Sequence, residues 1–287
     1  MKAYKGFDKD LKCRGFQFEV GKEYEEEKAE ACSCGFHACE MPIEVLGYYE
    51  PGKQSRYCEV EQSGDISKHT DDSKVASTKI KIGAEIGIPG IVKAQIEYVK
   101  ERAEESNTHH STGSRSANSA IGSRSANSAT GDWSANSATG DWSANSATGH
   151  GSANSATGDW SANSATGSRS ANSATGHGSA NSATGYGSAN SATGDWSANS
   201  ATGYGSANIS TGTECSNEGM GEHNISVAWG KDSKCKGSVG SYLVLSEWGD
   251  WDGEKYPFIA TKLVLVDGKK VKENTWYTMQ NKKIVEV

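Results

Sequence analysis

The chain has 287 residues, of which 34% are hydrophobic and 34 are glycine. This length allows two ordinary domains, but residues 106–220 contain little apolar material other than alanine and cannot build a conventional core. The formal net charge is −7, so the chain lacks the electrostatic footprint of a nucleic-acid binder, and this argues against DNA or RNA as the main partner.

The cysteine count and the hydropathy of the chain bear on its compartment. Seven cysteines are an odd number, which favours a reducing compartment over a disulfide framework. The first five residues lack the apolar run of a signal peptide, and no stretch approaches the roughly 20 apolar residues of a membrane span. We therefore expect a protein of the cytoplasm or of a virion that does not contact a membrane.

Residues 1–77 predict a small α+β domain. Apolar and polar residues alternate in short runs bounded by turn residues, which indicates strands at residues 15–20, 35–39 and 56–61. Pro42 at a first helical position predicts a short helix that ends before Pro51. The polar residues 67–77 are expected to form a loop.

Residues 78–105 predict a strand followed by a capping helix. The strand is expected at residues 78–86, and Pro89 then opens a helix that runs to about Glu105. One face of this helix carries an apolar stripe, formed by Ile91, Val92, Ile96, Val99 and Ala103. We expect the stripe to cover the open end of the first coil of the repeat region. The alternative is a helix packed only on the N-terminal domain.

A nonapeptide repeat occupies residues 106–230. Glycine recurs at every ninth residue from Gly113 to Gly230, and most copies continue with two variable residues and then Ser-Ala-Asn-Ser-Ala-Thr. The low hydrophobicity would suit a disordered segment, but disorder does not require a fixed glycine period. The period predicts a solenoid, in which each coil buries its apolar face only against the next coil.

The length of a nonapeptide predicts how the chain coils. Nine residues at about 3.3 Å each are too few to close a coil around packed side chains. Two nonapeptides per coil, one in each of two facing sheets, give a flat parallel roll of about six or seven coils. We count the glycine of each repeat as position one.

The irregular copies suggest which side chains face inward. Ile121 and Ile209 replace the usual residues at positions nine and seven, and the last copy has Ile225, Val227 and Trp229 at positions five, seven and nine. Because apolar residues favour the odd positions, we expect positions five, seven and nine to line the interior. Positions four, six and eight would then face solvent.

Residues 231–287 return to an ordinary composition. Four runs of strand-like sequence are separated by turn residues, and they lie at residues 241–248, 258–266, 275–279 and 283–287. We expect them to form a small antiparallel sheet that covers the last coil. The predicted fold is therefore mainly β, with a parallel β-solenoid between an N-terminal α+β domain and a C-terminal β cap.

Several motifs together resemble an uncharacterised family of bacterial and prophage-encoded proteins. They are the sequence Gly-Phe-His-Ala-Cys at residues 35–39, Lys-Ile-Lys-Ile-Gly-Ala-Glu at 79–85, the nonapeptides, and Val-Asp-Gly at 266–268 followed by Thr-Trp-Tyr at 275–277. The resemblance implies a phage or prophage setting and a bacterial host. It implies no activity.

Two kinds of metal site can be considered. Cys32, Cys34, His37 and Cys39 supply enough ligands for zinc, but their spacing does not match paired Cys-x2-Cys knuckles, and buried reduced cysteines are the preferred interpretation. The nonapeptide period is similar to that of the calcium-binding rolls of secreted toxins. Their Gly-Gly-x-Gly-x-Asp signature is absent from this chain, so we expect no calcium in the turns and no cofactor.

The N-terminal domain also loosely resembles mono-ADP-ribosyltransferases in the order of its motifs. That resemblance implies an arginine near the start, a Ser-Thr-Ser segment and a late Glu-x-Glu segment. Here Lys5 stands in place of the arginine, His37 begins the segment in place of Ser-Thr-Ser, and residues 59–61 supply an early Glu-x-Glu. An enzyme or nucleotide-binding domain carried on a solenoid spacer is therefore kept as the alternative function.

The variable dipeptides are the most informative surface of the repeat. With 18 residues per coil, Arg124, Trp142, Trp160 and Trp196 fall in one edge column, and Arg115, Trp133 and Arg169 fall in the other. Exposed Trp and Arg side chains carry binding energy at interfaces and stack on sugars or bases. The alternative is that they stack on each other and stiffen the edge.

We interpret the protein as a non-enzymatic scaffold that binds a partner along the repeat edge. The partner could be a protein, a glycan or a small molecule, and the sequence does not define the oligomeric state. The regular threonines would suit an ice-binding surface, but their expected inward orientation argues against it.

Overall fold

The computed structural model describes residues 1–69, 72–102 and 108–287. The protein is mainly β, with 49% strand and 9% helix, and it contains a parallel β-solenoid of about eight turns. An N-terminal sheet with short helices precedes the solenoid, and antiparallel strands follow it. The predicted fold class is confirmed.

The N-terminal domain is built from seven strands. They are β1 (Lys2–Phe7), β2 (Lys12–Cys13), β3 (Phe16–Gln17), β4 (Glu23–Glu25), β5 (Phe36–Cys39), β6 (Arg56–Lys68) and β7 (Lys74–Ile86). Five of them form a sheet in the order β4-β7-β5-β1-β6, which closes on itself because β6 also pairs with β7. The long β6 and β7 take up much of the segment predicted as a loop at residues 67–77. The aromatic residues Phe7, Phe18 and Phe36 lie in the core of this sheet.

The helices of the described chain are short. A 3-10 turn (Pro42–Glu44) leads into α1 (Val45–Tyr48), a second 3-10 turn spans Pro51–Lys53, and α2 spans Ile88–Arg102. Ala103 and the predicted helix end at Glu105 lie outside the described residues. Within the described residues, no helix has both the length and the apolar character that crossing a membrane requires.

Sixteen parallel strands form the solenoid in two sheets. The sheet that we call the covered sheet contains β8 (Thr108–Thr112), β10 (Ala126–Thr130), β12 (Ala144–Thr148), β14 (Ala162–Thr166), β16 (Ala180–Thr184), β18 (Ala198–Thr202), β20 (Ser216–Met220) and β22 (Lys234–Gly237). The sheet that we call the open sheet contains β9 (Ala117–Ile121), β11 (Ala135–Thr139), β13 (Ala153–Thr157), β15 (Ala171–Ala174), β17 (Ala189–Ala192), β19 (Ala207–Ser210), β21 (Ile225–Ala228) and β23 (Tyr242–Trp248). Ala126 pairs with Ala144, so each coil consumes two nonapeptides, as predicted.

The position of α2 differs from the prediction. The helix does not cover the open end of the first coil, and it does not pack only on the N-terminal domain. It crosses the outer face of the covered sheet, where its apolar stripe contacts a column of position-five alanines. These alanines are Ala126, Ala144, Ala162, Ala180 and Ala198. A small residue at this position lets the helix approach the sheet closely.

The C-terminal strands extend both sheets of the solenoid. Strand β24 (Phe258–Leu265) pairs with β23 in antiparallel orientation, and the hairpin of β25 (Tyr277–Gln280) and β26 (Lys283–Glu286) pairs with β22. Larger apolar residues close the end of the roll, among them Leu243, Leu245, Val266, Tyr277 and Met279. The parallel ladder therefore continues past Gly230, where the sequence placed its end.

The predicted orientation of the repeat side chains is wrong. Positions four, six and eight face inward, so that Asn154 and Ala156 are buried. Positions five, seven and nine face outward, and the odd-position Ile121 is 80% exposed. Large apolar residues occur at odd positions because the outer face has room for them. The interior accepts only small side chains and asparagine.

Hydrogen bonds explain why asparagine can occupy the interior. The side-chain Nδ2 of Asn145 donates to Oδ1 of Asn163 in the next coil at 3.0 Å and to the carbonyl oxygen of Ser155 in the facing sheet at 2.7 Å. Ser143 at position four donates to the carbonyl oxygen of Gly140 at 2.8 Å. These interior side chains are thereby paired, which removes most of their burial cost.

The stacking distance explains the glycine at position one. In Gly140 the backbone φ is +131°, and a Cβ atom added there would lie 2.6 Å from the carbonyl group of Gly122 in the previous coil. No other residue fits this approach, so the nine-residue period of glycine follows from coil stacking.

Candidate binding surfaces

The third residue of each nonapeptide turn has a left-handed backbone. Its φ is +64° in Arg115, +62° in Trp133 and +58° in Trp160, and glycine fills the same place in Gly151. A bulky residue in this conformation costs about 1–2 kcal/mol relative to a right-handed one. The turns therefore hold Trp and Arg side chains at a backbone cost that glycine would avoid.

These turns form two edges, which we call edge A and edge B. The third-position residues of edge A follow the series 115, 133, 151, 169, 187, 205 and 223, and those of edge B follow the series 124, 142, 160, 178, 196, 214 and 232. The seven candidates are distributed as the 18-residue coil predicts. Arg115, Trp133 and Arg169 lie on edge A, and Arg124, Trp142, Trp160 and Trp196 lie on edge B.

Edge B faces the N-terminal domain. A Cβ atom added to Gly47 would lie 2.6 Å from the indole of Trp160, so this ring sits directly against α1. Further along the edge, the backbone N–H of Gly52 donates to the carbonyl oxygen of Glu214 at 3.1 Å, and the Glu214 carboxylate pairs with Lys53 at 3.3 Å. Much of edge B is therefore an internal interface.

The other edge B candidates have mixed environments. Trp142 is half-buried against the apolar cluster that contains α2 and the position-five alanines, and the Arg124 guanidinium lies 5.6 Å from its ring centroid. Trp196 is exposed and lies beside His177, with ring centroids 6.0 Å apart. On this edge the stiffening interpretation accounts for Arg124, Trp142 and Trp160, because their partners lie within the chain.

Successive turns on one edge are matched to each other. The Asp132 carboxylate accepts a hydrogen bond from the backbone N–H of His150 in the next coil at 2.8 Å. The indole of Trp133 covers Gly151, where an added Cβ would lie 2.6 Å from the ring. Asp159 accepts from the backbone N–H of His177 in the same way at 2.8 Å. An Asp-Trp turn thus fits a His-Gly turn 18 residues later.

Edge A presents a row of exposed rings and cations. Trp133 is 56% exposed, and its ring centroid lies 5.0 Å from that of His150. The rings of Tyr186 and Tyr204 are stacked with centroids 5.4 Å apart, and His223 lies 4.8 Å beyond Tyr204. We call this surface the edge A ridge, formed by Arg115, Trp133, His150, Arg169, Tyr186, Tyr204 and His223.

Four members of the edge A ridge are not among the residues predicted from the sequence. His223 occupies position three and falls on the same 18-residue series as Trp133, whereas His150, Tyr186 and Tyr204 occupy position two and fall on the adjacent series that contains Asp132. Applying the coil length to both variable positions would have found them. The edge columns predicted from the sequence contain only the Trp and Arg residues at position three, so these four residues are absent from them.

The outer face of the open sheet is the second exposed surface. Its position-five, position-seven and position-nine residues are uncovered within the described chain, and a shallow groove of about 660 Å³ runs along it. The centre of the face carries Ala, Ser and Thr. Its C-terminal end carries larger exposed residues, namely Ile209, Ile225, Trp229, Tyr242, Leu263 and Leu265.

A cavity of about 510 Å³ lies in the N-terminal domain. Lys5 and His37, two residues of the loose ADP-ribosyltransferase resemblance, both line it, whereas Glu59 and Glu61 are not among its lining residues. The structure therefore brings Lys5 and His37 together in one cavity, but it does not bring the carboxylates of the Glu-x-Glu segment to them.

The zinc candidates do not form a metal site. The backbone N–H of Cys32 donates to Nε2 of His37 at 3.0 Å, which occupies the ring nitrogen nearest the cysteine loop. Within residues 1–69, 72–102 and 108–287, no group of three or more His, Cys, Asp or Glu side chains is placed to hold a metal ion. Cys39 is buried, and burial raises the pKa of its thiol. All seven cysteines are free thiols.

Comparison with known proteins gives one match. A family model described as a domain of unknown function (DUF7666) matches residues 1–94, which span the N-terminal domain and the first half of α2. No curated protein and no solved structure matches the chain. The N-terminal third is thus similar to an uncharacterised domain, in agreement with the expected kind of family. A bacterial or prophage origin stays a prediction.

Proposed function

We propose that the protein is a non-enzymatic scaffold that binds a partner along the edge A ridge. The observation that carries this proposal is the row of exposed rings and cations on edge A, in which Arg115, Trp133, Arg169 and His223 adopt a left-handed backbone although glycine takes that position in other turns. Such strain is retained where the side chain has a use. Exposed Trp, Tyr and Arg side chains are the types that dominate binding energy at interfaces.

The contrast with edge B supports this assignment. Both edges carry Ser-Arg, Asp-Trp and His-Gly turns, but edge B places its central rings against the N-terminal domain and α2. Edge A has no such cover among the described residues. A partner with flat, partly apolar groups, such as a glycan or an extended protein segment, would find a stacking surface there. The phage or prophage setting is part of the proposal and rests on the family resemblance alone.

The experiment compares two triple-ring variants. The ridge variant carries Trp133→Ser, Tyr186→Ser and Tyr204→Ser, and the control variant carries Trp251→Ser, Tyr256→Ser and Phe258→Ser, at three exposed residues in the β23–β24 connection and at the start of β24. Each protein is immobilised, incubated with a lysate of the source organism and with a glycan array, and the bound species are identified by mass spectrometry. Circular dichroism verifies that both variants fold.

The proposal requires a ligand that the wild type and the control variant retain and the ridge variant loses. Loss of the same ligand from both variants would place the binding elsewhere. Retention by both folded variants would show that the ridge does not bind, and its rings would then only stiffen the edge.

The outward threonines favour a second candidate function, ice binding. On the open sheet, Ala, Ser and Thr repeat at about 4.8 Å between strands and about 6.6 Å between alternate residues, without a charged side chain on the central strands. A flat lattice of methyl and hydroxyl groups can order water. Thermal hysteresis of the wild type, lost in Thr139→Lys and Thr157→Lys but kept in Thr166→Lys on the covered sheet, would support this function. Absence of hysteresis in the wild type would exclude it.

A further inference from the structure

Positively charged side chains line the N-terminal cavity, although the chain as a whole is acidic. The chain carries a formal net charge of −7, yet among the described residues the cavity is lined by Lys5, Arg14 and Lys74 and by one carboxylate, that of Glu26. Lys74 is partly neutralised by Asp72, whose carboxylate lies 3.6 Å from its ammonium. Lys5 and Arg14 form no ion pair with any of the described residues, so their charge is available to a ligand.

Lys5 is the most unusual group in this cavity. It lies on β1 and is 5% exposed, with the rings of Phe7 and Phe18 within 5.6 Å of its ammonium nitrogen. Nζ donates to the carbonyl oxygen of His37 at 2.7 Å and to Sγ of Cys13 at 3.5 Å. An ammonium has three N–H donors, so one remains for a ligand. Burial lowers the pKa of this amine, and an anion beside it would reverse that effect.

Several aromatic side chains also line the cavity. Phe16, Phe18, Tyr48 and Tyr49 contribute ring surface, and Phe16 is half exposed at the cavity mouth. The volume of about 510 Å³ lies within the range of small-molecule sites, which is about 300–1,000 Å³. Ring walls around fixed cations suit a ligand with a planar ring and an acidic group.

We propose that this cavity binds a small aromatic anion, with Lys5 and Arg14 holding its carboxylate or phosphate group and the surrounding Phe and Tyr rings holding its planar part. This site is independent of the edge A ridge. The anion would neutralise two cations that form no ion pair with the described residues, which explains why a lysine is kept in a buried position where a neutral residue would cost less.

The test uses probes that separate charge from ring. Phenyl phosphate and benzoate carry both, inorganic phosphate carries only the charge, and benzyl alcohol carries only the ring. Affinities are measured on the full chain by titration calorimetry and by NMR. We expect one of the aromatic anions to bind about tenfold or more tightly than either single-feature probe, and the better of the two identifies the acidic group.

Two variants locate the binding. Lys5→Met removes the charge and keeps an unbranched stem, and Arg14→Asn removes the second charge while tolerating the left-handed φ of +49° at this position. Each should weaken the aromatic anion about tenfold or more. Lys79→Asn, an exposed position that pairs with Glu25 and does not line the cavity, is the control and should bind like the wild type.

A structural role for Lys5 would give a different pattern. If the lysine serves binding, Lys5→Met removes a buried unpaired charge, and the thermal midpoint should stay constant or rise. If the lysine serves mainly as a donor to His37, the midpoint should fall, and that result would overturn the proposal. Failure of both aromatic anions to bind the wild type would overturn it as well, and so would affinities of Lys5→Met and Arg14→Asn equal to that of the wild type.

Discussion

Ala153 and Ala162 occupy position five of neighbouring identical pentapeptides, yet their environments are opposite. Ala162 is completely buried under α2 on the covered sheet, and Ala153 faces solvent on the open sheet. The two residues differ only in the sheet to which they belong. The surface of this repeat is therefore defined by what packs on each sheet.

This pair gives the first prediction. Ala162→Asp places an unpaired charge beneath a helix and should lower the free energy of unfolding by about 3 kcal/mol or detach α2. Ala153→Asp adds the same charge to an exposed face and should change stability by less than about 0.5 kcal/mol. Urea unfolding followed by circular dichroism measures both. Equal losses would mean that α2 does not cover the sheet.

The asparagine ladder gives the second prediction. Asn163 donates to the carbonyl oxygen of Ser173 at 2.8 Å and to Asn181 at 3.0 Å, and it accepts from Asn145 at 3.0 Å. Asn163→Ala removes these three hydrogen bonds from the interior and should lower the free energy of unfolding by about 3 kcal/mol or more, as measured by chemical denaturation. Ser173→Ala changes only an exposed side chain and serves as the control. If Asn163→Ala is as stable as Ser173→Ala, the asparagine side chains face solvent and not the interior.

The two Asp-Trp turns at Trp133 and Trp160 give the third prediction. Both rings cover the glycine of a His-Gly turn in the next coil, but only Trp160 also packs against Gly47 of α1. Trp160→Ser should lower the free energy of unfolding by about 3 kcal/mol. Trp133→Ser should cost less than about 1 kcal/mol, because relief of left-handed strain offsets the lost ring contact. Calorimetry measures both losses of stability. A larger loss for Trp133→Ser than for Trp160→Ser would show that edge A contributes more to stability than edge B.

Lys234 gives a prediction on pH. This residue is 2% exposed, burial lowers its pKa to about 7, and the neighbouring cation Lys236 adds to the shift. Between pH 7 and the unfolded value of 10.5, the unfolded chain binds more protons than the folded chain, so stability rises with pH over this window. Below pH 7 Lys234 is protonated in both the folded and the unfolded chain, so the full destabilisation by its buried charge is present.

The substitution Lys234→Met removes this penalty. The stability gained over the wild type should be large at pH 6.5 and much smaller at pH 9.5, as measured by chemical denaturation at the two pH values. An equal gain at both would mean that the ammonium is already hydrated or paired in the folded protein. The packing of Lys234 on Trp276, 4.6 Å from the ring centroid, is kept in part by the methionine stem.

Much of the fold could be predicted because the period of the sequence fixes the coil. A glycine at every ninth residue and a strand rise of about 3.3 Å leave two nonapeptides per coil as the natural solution. The two edge columns follow from the same arithmetic. The face orientation could not be predicted this way, because Ala and Ser are found inside and outside alike and asparagine is usually exposed.

The site was harder to predict for a related reason. The sequence places Trp133 and Trp160 in equivalent turns, and only the docking of α1 makes one an internal contact and the other an exposed ring. That docking depends on tertiary packing between distant segments. Lys5 was noted only as a replacement for arginine, and its burial among aromatic residues depends on the closure of the sheet that contains β1.

The orientation of the repeat, on which both exposed surfaces depend, can be measured directly by cysteine labelling. Single variants Ala153→Cys, Asn154→Cys and Ala162→Cys are treated with a thiol reagent, and peptide mapping by mass spectrometry separates each new site from the native cysteines. The structure predicts fast labelling at position 153 and protection at positions 154 and 162 until the protein unfolds. Faster labelling at position 154 than at position 153 would mean that the inward and outward faces are assigned the wrong way round. Equal labelling at positions 153 and 162 would mean that α2 does not cover the covered sheet.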